Sequence, residues 1–448
     1  MTISLKGVKK VNSYFSHCAN IFFWLKESIM HPAINSTWQK VNAIEAMSRI
    51  ECMELQKDKL CRLLSFAASQ VPFYRDWFAA HNVALDSLSI GDFPVLEKKD
   101  IRGSEALFVA DGWQKRVHWT RTSGSTGEPF RFARSEYDYA YASLWRGLAR
   151  WGVRPGDKRA LVKGVDETAI VSKWTCIKRK LYEWINRCIV VDAHFLAKSD
   201  RNVEHELYRI LKYKPDYFHG YVSSIYLLAC YAESHNLDCS QLRLKAVVTE
   251  SEKCHSFQRE VIERVFHAPV VENYGSVEFG MIAQPAHDGR LCINEDHVYV
   301  ETNSAGEAIF TNLDEYGFPL IRFKNGDKIA IGDVHTVLPY RTFLGIEGRI
   351  TETIKLPQGG ELQGYVVMYP ISKHSRWMKA YQIYQPSIDE MIIRIVLLSG
   401  DIPDTIVKQM ISEMRAIVGS VIKIRFEYPA EIPLTSRGKR LFICSDVK

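Results

Sequence analysis

Long apolar runs are missing from this chain. No stretch of about 18 apolar residues occurs, so no membrane-spanning helix is expected. Near the start, the apolar run Ile21–Leu25 is bounded by His17, Cys18 and Asn20 on one side and Lys26 on the other, too short for the centre of a secretory leader. The 10 cysteines contain no CxxC pair, no zinc spacing with histidine and no dense framework of the secreted kind, and so read as reduced thiols in a cytoplasmic protein. The 26 Gly and 16 Pro are spread thinly, which excludes collagenous, low-complexity and repeat-dominated chains. There is no Walker A loop, no G-x-G-x-x-G and no H-E-x-x-H, and His219-Gly220-Tyr221-Val222-Ser223 lacks the order of a hydrolase elbow.

What remains is an ordinary globular composition, 46% hydrophobic and 25% charged over 448 residues, enough for up to three domains of ~150 residues with cores that need no staples. The net charge of +6 is too small over this length to argue for nucleic acid. Its distribution is uneven: residues 114–180 hold 15 Lys/Arg against 6 Asp/Glu. An electropositive region of this kind suits an anionic partner, whether a nucleotide, a phosphorylated carrier or an acidic membrane.

Along the chain, residues 41–70 show helical periodicity through Ile44, Met47, Ile50, Met53, Leu60, Leu63, Leu64 and Ala67. Pro72 and Pro94 punctuate the segment after it. Short apolar runs then alternate with helical stretches: Arg159–Val162, Ile189–Val191, helix 200–213, Tyr217–His219, helix 223–234, Ala246–Val248, helix 252–266 and Val270–Glu272. Strand and helix taking turns predicts α/β units around largely parallel sheet. From 297 onward the texture is that of antiparallel strands and hairpins, and after Gly348-Arg349 about 100 residues read as a small α+β unit with a helix near 404–418. The expected fold is α/β, with mixed sheets flanked by helices and a β-rich part over 1–348 and a small C-terminal domain over 349–448.

Several segments carry chemistry. Thr122, Ser123, Gly124, Ser125, Thr126 and Gly127 put four hydroxyls and two glycines into six residues, a composition whose amides and hydroxyls suit phosphate oxygens. Asn273-Tyr274-Gly275-Ser276-Val277-Glu278 follows a strand and offers a ring on which a base can stack and a carboxylate that can hold a hard cation such as Mg²⁺. Asp327, in a Gly-Asp turn, can accept the two hydroxyls a ribose presents. Gly348-Arg349 stands at the domain break, and Lys439 lies on a Gly-bearing loop. Taken singly, each has a plain alternative: a solvated turn, a surface Glu, a hairpin, a linker, a tail lysine.

Together and in this order they resemble the adenylate-forming superfamily of acyl- and aryl-CoA synthetases, peptide-synthetase adenylation domains and luciferases. The branch they resemble most is phenylacetate-CoA ligase and its CapK-type relatives encoded with capsular-polysaccharide genes. Supporting marks span nearly the whole chain: Gln70–Arg75, Phe93–Lys98, Thr122–Pro129, Lys214–Asp216, Gly220–Ser223, Tyr274–Glu278, Thr311–Leu313, Pro319–Arg322, Gly326-Asp327, Gly348-Arg349 and Gly438-Lys439. The resemblance implies that Thr122–Gly127 holds the ATP phosphates and that Tyr274 packs on adenine, with Asn273, Gly275, Ser251 and Glu252 lining the same pocket. It implies that Glu278 binds Mg²⁺, Asp327 takes the ribose, Arg349 assists, and Lys439 bridges carboxylate and α-phosphate before the C-terminal domain rotates about a hinge near Thr351-Glu352. Three positions depart from the family pattern: Glu128 stands where Lys or Thr is common, Glu352 where Asp is usual, and Cys292 where phenylacetate ligases tend to have His, so no zinc is expected.

The implied reaction is ATP-dependent activation of a carboxylic acid, with transfer to a thiol, amine or hydroxyl acceptor in cell-surface polysaccharide or secondary-metabolite biosynthesis. Coenzyme A is one candidate acceptor, and an aryl-CoA ligase of the phenylacetate type is the enzymatic alternative. Outside catalysis stands a nucleotide-binding or membrane-associated scaffold. Over 173–187, Trp174, Ile177, Leu181, Ile185 and Cys188 recur at helical spacing beside Lys173, Lys178, Arg179, Lys180 and Arg187, as in helices that lie on anionic lipid, though most such helices turn their apolar side to a core.

Overall fold

The computed structural model describes residues 18, 21–83, 88–121, 130–135, 138–164, 173–349, 353–359, 361–363, 367–368, 370–371, 374, 377–398, 400–434 and 440–447. The chain divides into two compact units, one of Met1–Asp157 with Val271–Glu347 and the other of Lys158–Val270 with Gly348–Lys448.

In the first unit the periodic stretch 41–70 is two helices, Ile34–Ile44 and Arg49–Gln70. The break falls at Ser48, whose hydroxyl accepts from the amide of Glu51 while the Glu51 carboxylate accepts from the amide of Ser48. This reciprocal cap, worth about 1 kcal/mol, starts a new helix where the apolar pattern alone ran on. Pro72 then occupies the first turn of the helix Pro72–His81, where its missing N–H costs nothing.

The α/β alternation builds a five-stranded parallel sheet from β1 (Arg159–Lys163), β2 (Cys188–Asp192), β3 (Tyr217–Gly220), β4 (Ala246–Thr249) and β5 (Val270–Glu272), in the order β2-β1-β3-β4-β5. The first segment of the second unit ends at Val270, the first residue of β5. Ala160, Val162, Phe218 and Val247 point from one face of the sheet into an apolar cluster with the helices Asp200–Tyr213, Val222–Ser234 and Ser256–Phe266. The middle helix is buried almost all round, as its continuous apolar sequence requires. The third begins at Ser256 and not at 252, because Ser251 adopts a left-handed backbone (φ 70°) and the next side chain is tied elsewhere.

A seven-stranded antiparallel sheet belongs to the first unit: β6 (Tyr274–Ser276), β7 (Gly280–Pro285), β8 (Leu291–Ile293), β9 (Val298–Thr302), β10 (Glu307–Asn312), β11 (Phe323–Val334) and β12 (Arg341–Arg349), ordered β9-β10-β11-β12-β8-β7-β6. Between β8 and β9, Asn294, Glu295, Asp296 and His297 are all buried. Arg146 makes a two-pronged ion pair with Asp296 at 3.0 Å, Tyr139 donates to the same carboxylate at 2.6 Å, and Arg49 and Arg341 pair with Glu295. Burial raises the Asp296 carboxyl, but the Arg146 charge outweighs it and holds the group near a pKa of about 2.

The C-terminal strands β13 (Met378–Ser387), β14 (Glu390–Leu397), β15 (Lys423–Glu427) and β16 (Ile443–Ser445) form a sheet ordered β15-β14-β13-β16. The helix Asp404–Val418 contributes Met410, Met414 and Val418 to the apolar cluster that also takes Ile383, Ile393 and Ile395. This is the small α+β arrangement read from the sequence.

Candidate active site

One candidate site, within the first unit, grows from a tight hairpin. β6 turns back into β7 so closely that a Cβ on Gly275 would lie 2.3 Å from the carbonyl oxygen of Gly280, and only glycine fits there. The turn presents Tyr274 edge-on to Phe343 (centroids 5.7 Å apart) with its hydroxyl donating to Oδ2 of Asp327 at 2.7 Å. Asn325 Nδ2 donates to the same oxygen at 2.6 Å, and Asn325 Oδ1 accepts from the amide of Asp327, so the carboxylate is held in one orientation. Beside the ring, Asn273 is 4% exposed, and neither its Oδ1 nor its Nδ2 has a partner among the described residues. A buried amide with one donor and one acceptor group unfilled matches the edge of a purine, and such a group is costly to leave unpaired.

Glu278 ends the same hairpin. Its side chain is 6% exposed, with Lys98 Nζ 3.7 Å from Oε1. The segment Phe93–Lys98 delivers that lysine: the amide of Leu96 donates to Arg322 O at 3.0 Å and Lys324 N donates back to Leu96 O at 2.8 Å, pinning it along β11. The carbonyl of Phe279 is held by His297 Nε2 at 2.9 Å, whose Nδ1 lies 2.7 Å from Asp314. Neither Lys98 nor His297 was expected from the sequence; the signal for His297 was an unbroken polar run, Asn294–His297, inside an apolar β region. Mg²⁺ takes few protein ligands beside phosphates, so a single carboxylate is compatible with holding it. Glu278 is the described residue that would hold it.

The second unit supplies a further set. The Glu252 carboxylate accepts from the Ser223 amide (2.8 Å) and hydroxyl (3.1 Å) and from the backbone amide of Arg440 (2.9 Å). Burial raises this carboxyl, and those hydrogen bonds offset part of the effect. Ser223 and Arg440 border a small depression that is also lined by Tyr226, Gln258, Lys379 and Phe442. Ser251, exposed and left-handed, precedes Glu252. At the ends of the parallel strands, Glu250 pairs with Lys163 and lies 2.9 Å from His219 Nε2. His219 is thus a hydrogen-bonded histidine, as read from the sequence, but its partners come from strands that no local pattern links.

Thr122–Gly127 and Glu128 lie outside the described residues, between the antiparallel strands His118–Arg121 and Arg131–Arg134, whose pair Arg121–Arg131 brackets them. Lys439 and the hinge residues Thr351 and Glu352 lie outside them too, as does the side chain of Arg349, the last residue of β12. Cys292 is buried with Ile44, Cys52, Ala286 and Tyr340.

Residues 356–446 match the family model of the CapK C-terminal domain. Protein CapK of Staphylococcus aureus is 24% identical over 460 residues, an alignment that spans 98% of this chain and 100% of that one. Phenylacetate-coenzyme A ligase of Aromatoleum evansii is 27% identical over 313 residues, covering 63% of this chain and 67% of the relative. Among solved structures, 2-hydroxyisobutyryl-CoA ligase in the postadenylation state superposes with a TM-score of 0.70 at 19% identity, covering 90% of this chain and 91% of that one, which establishes the shared fold. The chain thus has a C-terminal segment that matches the CapK type, is similar along nearly its whole length to CapK and over about two thirds of it to phenylacetate-coenzyme A ligase, and shares the fold of an acyl-CoA ligase.

Proposed function

We propose that this protein activates a carboxylic acid with ATP in the cytoplasm and passes the acyl group to a nucleophile used in cell-surface polysaccharide or secondary-metabolite assembly. A carboxylate oxygen attacks the α-phosphorus, the bond to pyrophosphate breaks, and the acyl-adenylate forms. A thiol, amine or hydroxyl then attacks the carbonyl carbon and AMP leaves. The observation that carries this reading is the cluster Asn273, Tyr274 and Asp327: a buried amide unpaired among the described residues, a ring and an oriented carboxylate, at one hairpin and on β11. Asn273 reads the base edge, Tyr274 stacks on it, and Asp327 takes the ribose. Gly275, Ser251 and Glu252 are the further residues assigned to nucleotide binding. Thr122–Gly127 cradles the phosphates, while Lys439 and Arg349 offset the charge gathered where two anions meet, an effect worth several kcal/mol. Mg²⁺ on Glu278 supplies Lewis-acid charge at the phosphates.

The test is ATP–pyrophosphate exchange across a panel of carboxylic acids, followed by hydroxylamine trapping with and without coenzyme A. Exchange with at least one acid supports adenylation, and CoA-dependent product release selects the thioester route over an amine or hydroxyl acceptor. Exchange with none rejects the reading.

A second reading concerns partners. The helix Lys173–Ile185 leaves Ile177 (55%), Leu181 (53%) and Trp184 (71%) exposed at spacings of four and three residues, with Lys180 exposed beside them. A core-facing helix buries such a stripe; this one presents it outward next to positive charge, which favours contact with an anionic lipid surface.

A further inference from the structure

The parallel sheet winds in two directions. From β1 the chain moves outward to β2, then returns past β1 to β3, β4 and β5, so the order reverses between β1 and β3. In open α/β sheets the crevice beyond the carboxyl ends of the strands at such a reversal is where ligands bind. Three side chains meet at those ends: Lys163, the last residue of β1; His219, in β3; and Glu250, one residue past β4. Their meeting follows from register. Leu161 pairs with His219 and His219 with Val248, so these three share a face, and two residues further on the same face carries Lys163 and Glu250. The strands are pressed together there, since a Cβ on Gly220 would lie 1.9 Å from the Val162 carbonyl oxygen.

The cluster has a gradient. His219 is at the base with 6% of its side chain exposed, Glu250 above it at 15%, and Lys163 at the mouth at 33%. Burial lowers the His219 pKa, and its Nε2 donates to the Glu250 carboxylate at 2.9 Å. Burial also opposes ionisation of Glu250, but His219 and Lys163 outweigh it and hold the carboxyl well below the usual range. A charged acceptor and an ammonium with protons beyond the one it gives Glu250 therefore face the crevice together. An aryl ring laid over this pair would strip water from two charges without replacing its hydrogen bonds. A hydroxyl does replace them, because it donates to a carboxylate and accepts from an ammonium at once.

We propose that Lys163 and Glu250 read a hydroxyl on the carboxylic acid, so that the substrate is a hydroxylated, sugar-like or hydroxyalkanoic acid and not a bare aryl acid. This rests on the adenylation reading above and names its substrate class. The experiment is ATP–pyrophosphate exchange with matched acids, each hydroxylated acid beside its deoxy analogue and with phenylacetate as the aryl control. It is run on the wild type, Lys163→Met and Lys163→Arg, with thermal unfolding to establish that each variant folds. The wild type is expected to prefer the hydroxylated member by roughly 10⁴-fold, the scale on which a site built to bond a hydroxyl rejects its absence. Lys163→Met should bring that ratio to near one, and Lys163→Arg, which keeps the charge and donors, should retain most of it. A wild type that prefers phenylacetate or the deoxy acids, or a ratio unmoved in Lys163→Met, overturns the proposal while leaving adenylation in place. Absence of exchange with every acid instead overturns adenylation, and the proposal with it.

Discussion

The hydroxyl of Tyr274 donates to Oδ2 of Asp327 at 2.7 Å, joining a hairpin to β11, where Asp327 lies within the strand and not in the turn expected from Gly326-Asp327, 53 residues away in the chain. The bond orients a carboxylate and a ring with respect to each other before any nucleotide arrives. Preorganisation of this kind reduces the ordering that binding would otherwise require.

Tyr274→Phe keeps the ring and removes the bond. The loss of one hydrogen bond, about 0.5–1.5 kcal/mol, should raise the KM for ATP by up to about tenfold with little change in kcat. Tyr274→Ala should raise it further. Exchange kinetics over an ATP series decide, and an unchanged KM in both variants would remove Tyr274 from the nucleotide site.

Lys439→Ala is expected to abolish adenylate formation yet leave transfer from a synthetic acyl-adenylate largely intact, because the lysine offsets charge only in the first half-reaction. Measuring the two half-reactions separately checks this. Equal loss of both contradicts the role given to that lysine.

The helix Lys173–Ile185 is expected to bind vesicles containing anionic lipid. Arg179 is occupied within the fold, donating to Val190 O at 2.6 Å and lying 3.4 Å from Glu183, so the lipid-facing charge is Lys180. Flotation with anionic vesicles should fall several-fold on Lys180→Glu combined with Leu181→Ser and Trp184→Ser, and should weaken in high salt as charge is screened. Flotation indifferent to the triple change discards the idea.

His255, which packs against Phe442, has its pKa lowered to about 4 by burial, with Lys253 adding to the effect. Unfolding restores a value near 6.5. Below pH 6.5 the unfolded chain therefore binds more protons than the folded one, and stability falls with pH until about pH 4, below which this contribution stops growing. Between about pH 7 and about pH 5 the loss from this residue should be about 1–2 kcal/mol. His255→Asn keeps a capping side chain and does not titrate, so urea unfolding of the variant should show a shallower decline over that interval. A decline as steep as that of the wild type excludes His255 as a source of the acid sensitivity.

Much of the architecture was legible before the fold. The alternation from Arg159 to Glu272, the antiparallel texture after 297 and the helix near 404–418 all recur in the structure within a few residues, because each rests on a local period of side chains against one buried face. Errors of detail arose where a polar group overrode the period: the cap at Ser48 split one expected helix, and the ties on Glu252 delayed another to Ser256. The order of Tyr274, Glu278 and Asp327 marked them as site residues. Lys98 and His297, which flank and brace Glu278, carried only weak signals, one inside the segment Phe93–Lys98 and the other at the end of the polar run Asn294–His297, and neither had a spacing that tied it to Glu278.

The chain's order of residues settled by itself, for the most part, which segments are helix and strand, and it singled out the loops proposed to bind phosphate, base and ribose. It did not settle which of those groups meet. Lys163, His219 and Glu250 come together only because β1, β3 and β4 lie side by side in register, with their carboxyl ends on one rim. Local periodicity records which face a residue shows, whereas the neighbour it finds there is chosen by strand order, a property of the sheet as a whole.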